Sequence, residues 1–100
     1  MYEIWAIAYD HNNKITGVDM QLGSFHHLSD AQKYFEDNIN IWKEGESPLL
    51  KYRNNTNIST WTIVIKQVRE ITPNYYECQD TFNEIILNVK NIVNWTERSV

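Results

Sequence analysis

The chain has 100 residues, of which 42% are hydrophobic and 22% charged, with 3 Gly and 2 Pro; these are the proportions of a folded globular domain, and the length supports one hydrophobic core. Residues 1–100 are therefore read as a single domain. The formal net charge of −4 opposes the basic footprint of a nucleic-acid binder, and the lone Cys78 excludes an internal disulfide or a thiolate-rich metal cluster.

Tyr2 to Tyr9 read as a strand with apolar groups on both faces: Ile4, Ala6 and Ala8 on one, Trp5, Ile7 and Tyr9 on the other. The turn-forming run Asp10-His11-Asn12-Asn13-Lys14 leads into a second strand from Ile15 to about Phe25, with Gly17 or Gly23 marking a bulge. Ser29-Asp30-Ala31-Gln32 fits a capping box, and Ala31, Tyr34, Phe35, Ile39 and Trp42 then share one helical face. Gly45 is the expected stop, and Asp30 and Lys43 complement the helix dipole.

Beyond Pro48, Leu49 to Arg53 and the run Ile58 to Ile71 read as a second hairpin around Asn54-Asn55-Thr56-Asn57. The longer run loses its alternation near Lys66 to Val68, which implies a bulge or a strand leaving the sheet, and Pro73 ends it. Asp80 or Thr81 caps a second helix, whose stripe is Phe82, Ile85, Ile86, Val89, Ile92 and Val93. The expected fold class is thus α+β: a four-stranded antiparallel or mixed sheet with two helices, in the order ββαββα.

Leu22-Gly23-Ser24-Phe25 followed by Leu28-Ser29-Asp30-Ala31-Gln32-Lys33-Tyr34 resembles a strand-to-helix element of small phage and mobile-element proteins of low-GC Gram-positive bacteria. The likeness covers roughly the first 40 residues, and its content is an aromatic closing a strand and a capped helix with an apolar face. It implies a phage or prophage accessory protein, a class that includes inhibitors of host defence enzymes such as anti-CRISPR proteins. No catalytic or binding motif accompanies it.

Searching for chemistry gives little. His11, His26, His27 and the carboxylates lack metal-ligand spacing, since adjacent His26 and His27 on extended chain point to opposite sides. Cys78, just before the second expected helix, is the best nucleophile candidate, but no local signature surrounds it. Glu36 and Asp37 are adjacent and diverge around their helix. There is no phosphate-binding glycine loop, no cofactor motif and no nucleophile elbow, so the expectation is a protein that is not an enzyme and carries no metal or cofactor.

Rings are more informative: 4 Trp, 6 Tyr and 3 Phe exceed what the two helical stripes need. Trp and Tyr are common energetic anchors of protein interfaces. The candidate partner-binding residues are Trp5 and Tyr9, if they lie on the sheet face away from the helices, and Tyr75 and Tyr76 before the second helix. Periodicity alone does not assign inside from outside. The expected partner is a host protein, or a second copy of the chain in a homodimer. The alternative is a small nucleic-acid-associated regulator using Lys51, Arg53, Lys66 and Arg69, which the overall acidity opposes. No run approaches the roughly 20 apolar residues of a membrane span, and Met1-Tyr2-Glu3-Ile4-Trp5 does not open a secretion leader. The expected location is the cytoplasm, that of the host if the chain is phage-encoded.

Overall fold

A computed structural model describes residues 1–93 and 95. Strands β1 (Tyr2–Tyr9) and β2 (Ile15–Phe25) form a hairpin, followed by helix α1 (Leu28–Lys43), a 3-10 turn at Leu49–Tyr52, and the long strands β3 (Thr60–Thr72) and β4 (Tyr75–Asn88). All pairings are antiparallel, in the spatial order β2-β1-β3-β4. The class is α+β, and among the described residues a four-stranded antiparallel sheet is joined by one helix of more than one turn, in the order ββαββ.

The first hairpin forms as its sequence requires. Asp10 Oδ1 accepts from the amides of Asn12 (2.8 Å) and Lys14 (2.9 Å), and Asn13 takes a positive φ that Asn tolerates. In β2 the register slips twice, beside Gly17 and between Gln21 and Gly23, so both glycines mark irregularities. Gly17 has φ +87°, a backbone conformation that costs glycine little.

α1 begins one residue before Ser29, and its N-cap His27 makes no side-chain cap bond. The expected capping box does not form, because the Gln32 amide is drawn across to Asn83 Oδ1 of β4 (2.9 Å) instead. At the other end Gly45 (φ +72°) donates to the Trp42 carbonyl and Glu46 to that of Ile41, which makes a Schellman closure at the expected residue.

Ala31, Phe35 and Trp42 of α1 pack onto Ile4, Ala6 and Ala8 of β1, Trp61, Ile63 and Ile65 of β3 and Leu87 of β4. The two alanines of β1 let the helix approach, while the bulky residues of β3 fill the layer beside it. Tyr34, expected on the buried stripe, sits at its rim and touches the rings of Phe25 and Trp42. Trp61 is fully buried against Tyr52, and its indole N–H has no protein acceptor among the described residues.

The second half departs from expectation. Leu49–Tyr52 is a 3-10 turn rather than a strand, with Leu49 plugged into the core. The second helix expected from Asp80 does not form over residues 80–91: those up to Asn88 belong to β4, which supplies the fourth strand, and Val89–Asn91 is a 3-10 turn. Its helical spacing arises from a bulge. Ile63 pairs with Ile85 and Ile65 with Phe82, so three steps on β4 face two on β3, with Asn83 at φ +48° between them. Phe82, Ile85 and Leu87 therefore share the core face, although the first two are three residues apart.

The alternation lost near Lys66 coincides with β3 leaving β1, whose pairing ends at Tyr2 with Gln67. Beyond that point β3 and β4 continue as a two-stranded arm to a Pro73-Asn74 turn, where Pro sits at the position of fixed φ and Asn74 at φ +68°. Among the described residues no helix is long and apolar enough to cross a membrane.

Candidate functional site

Because β1 buries Ile4, Ala6 and Ala8 beneath α1, the alternation of the strand places Trp5, Ile7 and Tyr9 on the opposite face. The orientation left open by periodicity is thereby decided. The register extends this row sideways: Tyr9 lies beside Ile15 of β2, Trp5 beside Val64 of β3, and Ile7 beside Thr62, which in turn neighbours Ile86 of β4. Ile15 and Ile86 are 68% and 65% exposed, and Val64 is the buried residue that belongs to no part of the helix-side core. An apolar band thus crosses the helix-free face. The Trp5 indole is held by a hydrogen bond to Glu3 Oε1 (2.9 Å), so the ring is positioned rather than free to turn.

Tyr75 and Tyr76 stand at the tip of the arm, 56% and 60% exposed, with Ile71 close by on the partner strand. They are on β4 rather than in a connection before a helix. Tyr76 also lines a groove of about 510 Å³ at the base of the arm with Met1, Glu3, Ser24, Val68, Arg69 and Glu70. Glu3 belongs both to this groove and to the Trp5 bond, so groove and aromatic face adjoin.

The four cations of the nucleic-acid alternative do not gather. Lys51 lies over the Tyr52 ring at 5.1 Å, and Arg53 follows it at the end of the sheet where β3 starts. Lys66 faces Glu3 across β1, and Arg69 shares the arm groove with Glu3 and Glu70. From Ser59, beside Arg53, to Lys66 is seven strand steps, roughly 23 Å at ~3.3 Å each.

Nor do nucleophiles and bases converge. His11 is on the β1–β2 turn with Nε2 against the Thr56 carbonyl (3.0 Å), while exposed His26 and His27 follow the opposite end of β2. Cys78 is exposed on the arm, its thiol directed to the Asp80 carbonyl, and it lies within β4 rather than just before a helix. Asp37 pairs with Lys33 on the solvent face of α1. Among the described residues no three His, Cys, Asp or Glu side chains could share a metal ion.

The residues that periodicity missed are Ile15 and Ile86. Helical spacing places Ile86 on a buried stripe, and only its strand register puts it outside. In comparisons with known proteins, no family model, no curated protein and no solved structure matches the chain.

Proposed function

We propose that this protein is a non-enzymatic binding module that docks another protein on its helix-free sheet face and arm, in the manner of phage-encoded inhibitors of host defence enzymes. The observation that carries the reading is the band of Trp5, Ile7, Tyr9, Ile15 and Ile86 opposite α1. Large rigid rings beside exposed isoleucines supply contact area at little cost in rotamer entropy. Glu3 and Asp19 lie on the same face with Lys66 as the cation among them, so the fitting partner presents an apolar patch with a basic rim. The phage assignment rests on the resemblance of the β2–α1 segment together with small size and acidity.

The test is capture from a bacterial host lysate, comparing the wild-type chain with Trp5→Ser/Tyr9→Ser and Tyr75→Ser/Tyr76→Ser variants of verified fold. One stoichiometric host protein is expected, retained at high salt and weakened about 30-fold or more by each pair, as loss of ~2 kcal/mol of anchoring implies. Equal capture by the variants would overturn the reading, as would release by salt or self-association through this face in place of a partner.

A further inference from the structure

We infer that the cleft at the end of the sheet remote from the arm is a binding site for a phosphate monoester. It is contributed by four segments: the β1–β2 turn (His11), the loop after the 3-10 turn (Arg53, Asn55, Thr56), the entry to β3 (Ile58, Ser59) and the exit of β4 (Asn88, Val89, Lys90). Its volume of about 490 Å³ falls within the ~300–1,000 Å³ of small-molecule sites. The site is independent of the aromatic face and does not rest on the docking proposal.

Three features point to this ligand. First, the lining holds Arg53, Lys90 and His11 and no carboxylate among the described residues, in a chain of net charge −4. Neither Arg53 nor Lys90 is paired with an acid among those residues. The nearest acid in sequence, Asp10, already has a carboxylate oxygen engaged by the Asn12 and Lys14 amides. Second, the neutral groups are biased toward donation. Asn55 Oδ1 accepts from the Asn57 amide (3.1 Å) and Asn88 Oδ1 from the Lys90 amide (3.2 Å), which leaves the NH₂ groups as the main hydrogen-bonding capacity of both side chains. A forked guanidinium, an ammonium, two amide NH₂ groups and the hydroxyls of Thr56 and Ser59 suit the three peripheral oxygens of a phosphate dianion.

Third, the walls are tied together before any ligand arrives. His11 Nε2 meets the Thr56 carbonyl, the Ser59 amide donates to the Tyr9 carbonyl (2.8 Å), and the Val89 amide donates to the Ser59 carbonyl (2.9 Å). A cleft cross-linked in this way loses little conformational entropy on binding. Half-buried Val89 and buried Ile58 give it an apolar side against which the body of a sugar-sized ligand can rest.

The same chemistry is offered by a free sugar phosphate and by the 5′-phosphate at the end of a nucleic-acid strand. Amide NMR titration of the full chain tests the site with inorganic phosphate, ribose 5-phosphate, ribose, and one short oligonucleotide with and without its 5′-phosphate. The expected result is movement of the amides of residues 53–59 and 88–90 with both phosphate compounds but not with ribose. Arg53→Gln and Lys90→Gln, both at exposed positions, should each weaken ribose 5-phosphate at least tenfold, whereas Lys33→Gln on α1 leaves it unchanged. Tenfold tighter binding of the 5′-phosphorylated oligonucleotide than of ribose 5-phosphate, lost with its 5′-hydroxyl twin, assigns the strand end as the source; otherwise the free sugar phosphate is the source. Silence of these amides toward both phosphate compounds, equal binding of ribose, or full affinity in Arg53→Gln would overturn the inference.

Discussion

Gly45 closes α1 at φ +72° and offers its carbonyl to the buried Trp95 indole (2.8 Å). A Cβ at this position would lie 2.5 Å from Ile92 Cγ2 and 2.7 Å from Trp95 Cε2. Left-handed backbone costs a non-glycine residue ~1–2 kcal/mol and overpacking a further ~1–3 kcal/mol. Gly45→Ala is therefore expected to destabilise by about 2–5 kcal/mol, a fall in Tm on the order of 10 °C or more for a domain of this size. Thermal unfolding by circular dichroism measures it, and a shift of only a degree or two would show that the Trp95 contact yields freely. At Asp10 the Lys14 amide is the main reason that the carboxyl titrates below its ordinary range; desolvation opposes it, and the Asn12 amide and the charges of Lys14 and His11 assist. A depressed folded pKa means that the turn's contribution is fully present above about pH 3.9, the unfolded value, and is lost as pH falls through the folded pKa. The Asn12 and Lys14 amide resonances should follow a single titration with a midpoint below pH 3.9, and Asp10→Asn should abolish it.

At the scale of elements, β4 shows how a strand can carry a helical signature. A bulge replaces one step of two residues by one of three, so Phe82 and Ile85 imitate helical neighbours while both stay on the core face. The Asn that holds the bulge also ties α1 to β4 through Gln32, so the same residue that misleads the periodicity positions the helix. The arm is a different case. Past Val68, whose amide still donates to the Met1 carbonyl (2.8 Å), it has no third strand among the described residues, and an isolated two-stranded ribbon is marginal in water. Hydrogen exchange should accordingly be about 100-fold or more faster for its amides, Arg69–Thr72 and Tyr75–Asp80, than for Trp61–Ile65 at the sheet centre. Protection equal to that of the centre in the free chain would mean that the arm is stable without a partner. Protection gained on binding would place the arm in the interface.

Over the whole molecule the arm draws the shape out to 48 × 28 × 18 Å, with a radius of gyration of 14.3 Å against about 13 Å for an ordinary domain of this length. Among the described residues one helix covers one face of a four-stranded sheet, which leaves the opposite face without a covering element and a groove at each end. Much of this was legible locally. The first hairpin, the helix with its Gly45 stop and the Pro73 termination depend on residues within a few positions of one another, where turn chemistry and 3.6-residue spacing act directly. The candidate surface was legible only in part: Trp5 and Tyr9 could be named as a face, but which face could not.

What the amino-acid order determined by itself is the set of local preferences: strands at 2–9 and 15–25, a helix ended by Gly45, a turn at Pro73, and a surplus of rings. Only the tertiary structure decided that residues 80–88 pair as a strand, that Trp5 and Tyr9 face outward, and that Arg53, Lys90 and His11 meet in one cleft while Lys66 and Arg69 do not. These are outcomes of pairing between segments tens of residues apart. β4 needs β3 to satisfy its backbone and its bulge to keep phase, and β1 acquires an inside only once α1 has chosen the alanine side.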